Sequence, residues 1–441
     1  MTDLSDINAP ADYAQLALED RAHGSIYTSP DIFQAEMDRI FHRTWLCVGH
    51  EAELRAPGDF RATLLGRQPV IMVRGADNKV RVLMNRCMHR GTALVPDGRG
   101  RENHFTCPYH GWSYNTLGEL IALPDPQAYD HSFSKADYGL TPAPAVAAYR
   151  GFVFASLSAD VPSLEEHLGL AKRYIDLFID VSPLGEIEVH SGAHKTSYAG
   201  NWKFVGMDGY HPNTVHKSMM DMWSRRPGHV LSKTHPGGSP FSDAGENVTR
   251  DLGNGHVLLD LYPGRRSNYP NYREKMLAKP SGKEYYAAMV RAHGQARADE
   301  ILTWAGDPHA GIFANLQLIE VQIRIIRPVS VDRTEVLMFP TLLKGAPEEV
   351  NQERLSRHEA FYGPAGHGSP DDAEMFERNQ AGLAAEVNPW VFLGRGLHRE
   401  RRDGDGSLVG RITDETTQRG QLKQWKLLMS GRGARTQSPG R

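Results

Sequence analysis

Two short segments constrain this chain more than anything else in it: Cys87-Met88-His89 and, after 17 intervening residues, Cys107-Pro108-Tyr109-His110. Each offers one thiolate and one imidazole. A [2Fe–2S] cluster with two cysteines on one iron and two histidines on the other needs that donor set. Thiolate suits the iron that stays ferric, while neutral imidazole leaves the second iron less charged and raises its potential. A Cys₂His₂ zinc site uses the same donors, but zinc motifs usually pair cysteine with cysteine and histidine with histidine. Here each segment mixes the two, which favours the cluster.

At 441 residues the chain is long enough for two or three domains, each with its own core. A composition of 40% apolar and 23% charged residues is that of a globular protein, and a formal net charge of −3 argues against nucleic acid or an anionic membrane as the main partner. The opening Met1-Thr2-Asp3-Leu4-Ser5-Asp6 is acidic and lacks the apolar core of a signal peptide. No stretch approaches the length of apolar chain that spans a bilayer. Of the three cysteines, two serve the cluster and Cys47 falls on a predicted buried strand. No disulfide is expected, and a reducing cytoplasm is the expected location.

Ser29-Pro30-Asp31 followed by Ile32, Phe33, Met37, Ile40 and Phe41 predicts a capped amphipathic helix over 28–42. From Trp45 to about Ser156 the texture changes to short β-like runs, clearest at 70–73, 80–83 and 152–154, with 75–79 as a hairpin connection. Both Cys-His segments follow such runs. A helical stretch begins after Pro162. The stretch 225–283 is rich in Gly, Pro and charge, with one strand-like island at 257–261. Then come a predicted helix at 284–304, strands at 319–326 and 336–339, and helices at 346–361 and 370–385. Periodicity alone says α+β.

Cys87-Met88-His89-Arg90-Gly91 and Cys107-Pro108-Tyr109-His110-Gly111-Trp112 resemble the two signature loops of the large (α) subunits of Rieske non-heme iron oxygenases, the aromatic-ring-hydroxylating dioxygenases. The resemblance implies Cys87, His89, Cys107 and His110 as ligands of a Rieske [2Fe–2S] cluster, and a mononuclear Fe(II) in a separate catalytic domain. The implied fold is a small all-β Rieske domain inserted before a helix-grip catalytic domain, an antiparallel sheet with long helices. The expected division is an N-terminal helical segment packing on the catalytic domain (1–42), the Rieske domain (43–160), the catalytic domain (161–430) and a disordered tail (431–441).

Non-heme Fe(II) that activates O₂ favours two histidines and one carboxylate on one face. The segment from Asn201 to His216 is similar to the family's D-x₂-H-x₄-H element. That similarity implies His211 and His216 as ligands and Asp208 as the bridging carboxylate, with Asn201 placed beside it among the catalytic residues. Five residues is an awkward ligand spacing for a straight helix, since the side chains would splay by about 140°. Pro212 breaks regularity and suits a kinked segment. The third ligand comes from Ser369-Pro370-Asp371-Asp372, which resembles the family's double acid and implies Asp372, with Asp371 as the alternative. The same residues also read as an ordinary helix N-terminus, and both readings can hold together. Gly368 and Pro370 depart from many relatives, which carry a bulky aromatic and an acid there; an altered or more open pocket is expected.

Family analogy places the substrate pocket along 313–324, with Val205, Leu259, Asn315, Arg324 and Tyr362 as lining candidates. An arginine aimed into an apolar pocket suits a substrate carboxylate. The plainer reading has Arg324 on a solvated or subunit-facing side, paired with Glu320 or Glu335. The implied reaction takes O₂ and electrons from an NAD(P)H-dependent reductase, with or without a ferredoxin, and cis-dihydroxylates an aromatic ring, an aromatic carboxylic acid among the candidates. Mono-oxygenation or demethylation would use the same cofactors. A bare electron carrier would leave some 280 residues unexplained, and a ligand-binding module would leave Asp208, His211 and His216 unexplained. No strand leads into a G-x-G-x-x-G helix start, in keeping with an external reductase. Head-to-tail trimers are the family's habit, as α₃β₃ with a small β subunit or as an α₃ homotrimer. The electron path would then run from His110 to Asp208 of the neighbour and on to His211.

Overall fold

The apolar runs between Trp45 and Ser156 build a unit of short strands. The computed structural model describes residues 12–96, 98–189, 192–212, 215–218, 221, 225, 247–304, 309–366 and 368–431. It divides into two compact units: Phe41–His167 with Ile187–Ala193, and Met1–Ile40 with Leu168–Glu186 and His194–Arg441. Of the tail expected to be disordered, all but Gly431 lies outside the described residues, as does most of 225–246.

In the smaller unit, Gln68–Arg74 and Val80–Met84 pair antiparallel around the Gly75–Lys79 turn, within a four-stranded sheet that adds Asp59–Leu65 and Gly98–Arg101. Two three-stranded sheets complete it: His104–Thr106 with Ser113–Asn115 and Leu120–Ala122, and Leu46–His50 with Ala145–Tyr149 and Phe152–Ser156. Phe60, Ile71, Val73, Leu83, Phe105, Trp112 and Tyr114 pack with Cys87 and Cys107 in one core. The two sulfurs therefore sit in a low-dielectric interior. Cys47 is buried on Leu46–His50.

The larger unit is built on a nine-stranded antiparallel sheet. Its strands, numbered within this unit, are β1 (His194–Tyr198), β2 (Val248–Gly253), β3 (His256–Asp260), β4 (His309–Ile312), β5 (Leu316–Ile319), β6 (Gln322–Ser330), β7 (Arg333–Pro340), β8 (Arg401–Arg402) and β9 (Leu408–Arg411). They lie in the order β1-β7-β6-β5-β4-β3-β2-β9-β8. Its described helices of ten residues or more are α1 (Tyr262–Leu277), α2 (Pro280–His293), α3 (Gln295–Trp304), α4 (Glu348–Tyr362), α5 (Ser369–Gly382) and α6 (Thr416–Met429). Long helices on a broad antiparallel sheet make the fold α+β.

Four local expectations need correction. The strand expected over 319–326 is a hairpin: β5 ends at Ile319, Glu320 turns with φ 49°, and β6 starts at Gln322. The single helix expected over 284–304 is two, separated at Gly294, whose φ of 75° no helix accommodates. Helix α1 was not expected, because Pro263 and Pro270 read as breakers and no residue in it is buried. The N-terminal helix is shorter than 28–42: Pro30–Glu36 is capped by the Ser29 hydroxyl, which accepts from Ile32 N–H at 3.3 Å, and Met37–Phe41 continues as a π-helical turn.

Candidate active site

The two Cys-His segments make the same turn. Cys87 N–H donates to Thr92 O at 2.8 Å and Gly91 N–H to Cys87 O at 2.9 Å; Cys107 N–H donates to Trp112 O at 2.7 Å and Gly111 N–H to Cys107 O at 3.0 Å. Each turn closes on a glycine four residues after its cysteine, with φ of 80° at Gly91 and 68° at Gly111, a region a side chain strains. Cys87 and Cys107 are buried, and the His89 and His110 ring centroids lie 4.8 Å apart. Both histidines bury an Nδ1 atom that has no hydrogen-bond partner. Burial alone would raise the Cys107 thiol, but the His110 and Tyr109 N–H groups aimed at its sulfur outweigh it and the group lies below its usual value. Two imidazole nitrogens left unsatisfied beside two cysteine sulfurs, one of them favoured as thiolate, fit a Cys₂His₂-ligated [2Fe–2S] cluster.

Sequence reasoning overlooked Tyr114. Its hydroxyl lies 3.3 Å from Cys87 Sγ and accepts from Met88 N–H at 3.0 Å. With that lone pair engaged, its proton is directed at the sulfur. Burial, then Cys87, push the phenol's ionisation well up, so it stays a donor.

In the larger unit His211, His216 and Asp372 come together, with ligating atoms all within 4.8 Å of one another. His211 Nδ1 faces the Asp208 carbonyl at 2.5 Å, and His216 Nδ1 faces Asp371 Oδ2 at 3.2 Å. Both acceptors select the Nδ1–H tautomer, leaving each Nε2 as a lone pair. The two Nε2 atoms then face each other at 2.6 Å, with Asp372 Oδ1 3.5 Å from the His216 nitrogen. Two lone pairs and a carboxylate converging on one point repel unless a cation lies among them. The donor set is that of a two-histidine, one-carboxylate iron site. The arrangement also separates the adjacent acids: Asp372 faces the centre, while Asp371 takes the outer nitrogen of His216 and the Ser218 hydroxyl at 2.9 Å.

Two expected roles change. The side chain of Asp208 does not take the His211 proton; its main-chain carbonyl does, because the turn after the π-helical segment Phe204–Asp208 folds residue 211 back over it. Asp208 instead lines a cavity of about 300 Å³ with Tyr27, Phe204, Arg378 and Gln418. Asn201 is not part of the site. It is fully buried, its amide donates to Tyr27 O at 3.1 Å and Val331 O at 2.8 Å, and its Oδ1 accepts from Lys203 N–H at 3.1 Å. It starts the helical segment that carries the site.

Arg324 is the other correction. On β6 it is only 8% exposed, Glu320 pairs with Arg357 and Glu335 with Lys195, so neither acid takes it. Its Nη2 donates to Ser369 Oγ at 3.1 Å, its guanidinium lies over the Tyr362 ring at 5.1 Å, and the Gln322 amide oxygen, in the orientation that satisfies both groups, accepts at 3.2 and 3.3 Å. Among the described residues no carboxylate forms an ion pair with it, although the Asp372 charge acts on it. Tyr210 and His309, unforeseen from sequence, stand 5.9 Å apart beside it, and burial, then Arg324, hold His309 neutral. Leu259 pairs with His309 across β3 and β4, Val205 O accepts from Gln317 Nε2 at 2.6 Å, and Gln317 lies opposite Arg324. Asn315 is buried in the β4–β5 turn, its carbonyl taking Ile326 N–H.

Known proteins resemble this chain over most of its length. A Rieske [2Fe-2S] domain model matches residues 44–147. The chain is 34% identical over 390 residues to the large subunit of anthranilate 1,2-dioxygenase from Acinetobacter baylyi, spanning 85% of this chain and 80% of that one. It is 34% identical over 385 residues to the large subunit of 2-halobenzoate 1,2-dioxygenase from Burkholderia cepacia, at the same coverage. Toluate 1,2-dioxygenase subunit alpha from Pseudomonas putida is 31% identical over 387 residues, 82% of this chain and 79% of that one. Among solved structures, naphthalene 1,2-dioxygenase from a Rhodococcus species bound to indole superposes with a TM-score of 0.77 at 25% identity, over 94% of this chain and 95% of that one. At that identity and coverage, the chain belongs to the large (α) subunits of the Rieske non-heme iron aromatic-ring-hydroxylating dioxygenases.

Proposed function

We propose that this subunit cis-dihydroxylates the ring of an aromatic carboxylic acid, with Arg324 holding the carboxylate. The observation that carries the reading is a buried guanidinium whose described hydrogen-bond partners are all neutral. A charge in that position is costly unless an anion joins it, and a carboxylate matches its planar fork. Three relatives take their names from anthranilate, 2-halobenzoate and toluate, all aromatic acids. The overall change adds both atoms of O₂ to adjacent ring carbons and consumes two electrons and two protons.

Cys87, Cys107, His89 and His110 would hold the cluster, and His211, His216 and Asp372 the mononuclear iron. When bound, the two centres supply stored electrons and O₂ activation. The chain's own residues do the rest. Asp371 and the Asp208 carbonyl fix the two imidazole tautomers. Arg324, backed by Tyr362 and Ser369, neutralises and orients the acid. In a head-to-tail trimer, alone or with a small β subunit, the outward Asp208 carboxylate would meet His110 of the neighbour, and its carbonyl would pass the connection to His211. Electrons would come from an NAD(P)H-dependent reductase, directly or through a ferredoxin.

The test is turnover of the iron-loaded enzyme with a reductase and ¹⁸O₂ on matched aromatic acids and neutral analogues. A diol carrying two labelled oxygens, formed preferentially from the acid, supports the reading. A product with one label, or formaldehyde from a methoxy acid, would make it a monooxygenase or demethylase. Equal turnover of acid and neutral ring would remove the substrate class.

A further inference from the structure

We infer that His194, His358 and Glu359 form a second divalent-metal site, suited to zinc and separate from His211, His216 and Asp372. His194 opens β1, an outermost strand of the nine-stranded sheet, while His358 and Glu359 are neighbours near the end of α4. Their ligating atoms all lie within 4.8 Å of one another. His194 Nε2 is 2.8 Å from Glu359 Oε1, and the two imidazole centroids are 5.1 Å apart.

The second observation is on His358. It is fully buried, and its Nε2 has no hydrogen-bond partner. A buried ring nitrogen left unsatisfied is uncommon in a folded chain and calls for a ligand or an ion. Two imidazoles and one carboxylate suit zinc, with a further position open to water. They do not suit calcium or magnesium, which take oxygen donors.

Donor spacing decides what must move. Bonds of 2.0–2.1 Å in a tetrahedron put donors about 3.3 Å apart, so the widest separation here must close by at most about 1.5 Å. His194 and Glu359 have 26% and 58% of their side-chain surface exposed and can make that shift, whereas His358 is fixed. The rings are near parallel, at 16°, so His194 must also turn about its terminal torsion to aim its lone pair. The Arg324 charge opposes an added cation, and the Glu359 carboxylate offsets it. An ion here would tie the edge strand β1 to α4, the helix that ends at Tyr362 beneath Arg324.

The experiment uses the enzyme with both iron centres in place, dialysed against zinc and analysed for zinc, iron and sulfide together. Wild type should gain about one zinc per chain with iron and sulfide unchanged, and thermal stability should rise with zinc concentration. His194→Ala should abolish the uptake, and Glu359→Gln should weaken it by about tenfold or more. These partly exposed positions are chosen because replacing buried His358 could unfold the helix. A wild type that takes up no zinc overturns the assignment. So does zinc gained only as iron is lost, or His194→Ala with undiminished uptake, which would leave the three residues as a hydrogen-bonded pair beside an unsatisfied histidine.

Discussion

Replacing Arg324 by methionine separates the acid-binding reading from a purely structural arginine. Methionine keeps much of the volume and lies flat against Tyr362, so no large cavity opens. The free enzyme loses a buried charge whose described partners are neutral, and folding stability should change by no more than about 1 kcal/mol, in either direction. The complex is different. Truncating one partner of a buried, hydrogen-bonded charge pair costs about 2–5 kcal/mol, because the other charge stays buried and unpaired. At about 1.4 kcal/mol per tenfold, kcat/KM for an aromatic acid should fall roughly 30- to 4000-fold. Since the contact exists before any bond changes, KM should carry most of the loss. The assay is steady-state O₂ uptake with product analysis on an acid and on a neutral ring of the same shape. The acid should lose its advantage while the neutral ring gains or holds. Arg324→Lys should recover only part of the loss, since an ammonium cannot reproduce the two-point fork. Unchanged kinetics on the acid, or an equal loss on both substrates, would refute the argument.

Asp208→Asn should keep iron and sulfide content, because the His211 contact uses the main-chain carbonyl, yet lose turnover by at least about 10- to 100-fold; loss of the mononuclear iron on metal analysis would make Asp208 a ligand. Tyr114→Phe removes the hydroxyl aimed at Cys87. A hydrogen bond of about 1–1.5 kcal/mol to the more reduced sulfur corresponds to roughly 40–60 mV for one electron, so redox titration should find the cluster potential lower by that amount. His50 accepts from Ala52 N–H through Nδ1 and faces Arg150 O through Nε2, and burial lowers its pKa from 6.5 to about 4. The unfolded chain therefore binds the proton first, and this contribution to stability, full at neutral pH, fades as pH falls from 6.5 towards 4. The loss should reach about 2 kcal/mol at pH 5 in urea melts, and His50→Asn should flatten that part of the profile.

Some of this was readable from sequence because the chemistry demands particular residue types at fixed spacing. The cluster loops could be read so far because both turns need cysteine, histidine and a glycine at positive φ. The hairpin at Glu320 could not. A period-2 pattern runs unbroken through Ile319, Val321, Ile323 and Ile325, and nothing local marks Glu320 as the residue that turns left-handed. Losing the hairpin also misplaced Arg324, since alternation assigned it to a polar face, whereas Gln322–Pro328 is buried throughout. The choice between Asp371 and Asp372 likewise depends on how the first turn of α5 is rotated against His216, which adjacent identical residues do not reveal.

The histidine segment poses the deeper question of how so irregular a backbone is held at all. A five-residue step from His211 to His216, a π-helical turn and Pro212 leave several carbonyls without the partners a regular helix would give them. Side chains distant in sequence supply those partners. Gln421 Nε2 donates to Gly206 O at 2.8 Å, Thr417 Oγ1 to Tyr210 O at 3.0 Å and Gln418 Nε2 to Asp208 O at 3.5 Å, all from α6, while Gln317 on β5 takes Val205 O. Beneath the same segment, Glu36 accepts from Lys203 Nζ at 2.6 Å, Trp202 Nε1 at 2.8 Å and Trp425 Nε1 at 2.6 Å, so the N-terminal helix, the site and α6 share one buried carboxylate. Thr416, Thr417, Gln418 and Gln421 are all buried. Nothing in their residue types marks them as buried, because polar residues on a helix usually form its solvated face. Their burial means that the histidine segment holds this geometry against α6, some 200 residues later in the chain. The positions that set His211 and His216 therefore include a terminal helix that touches neither.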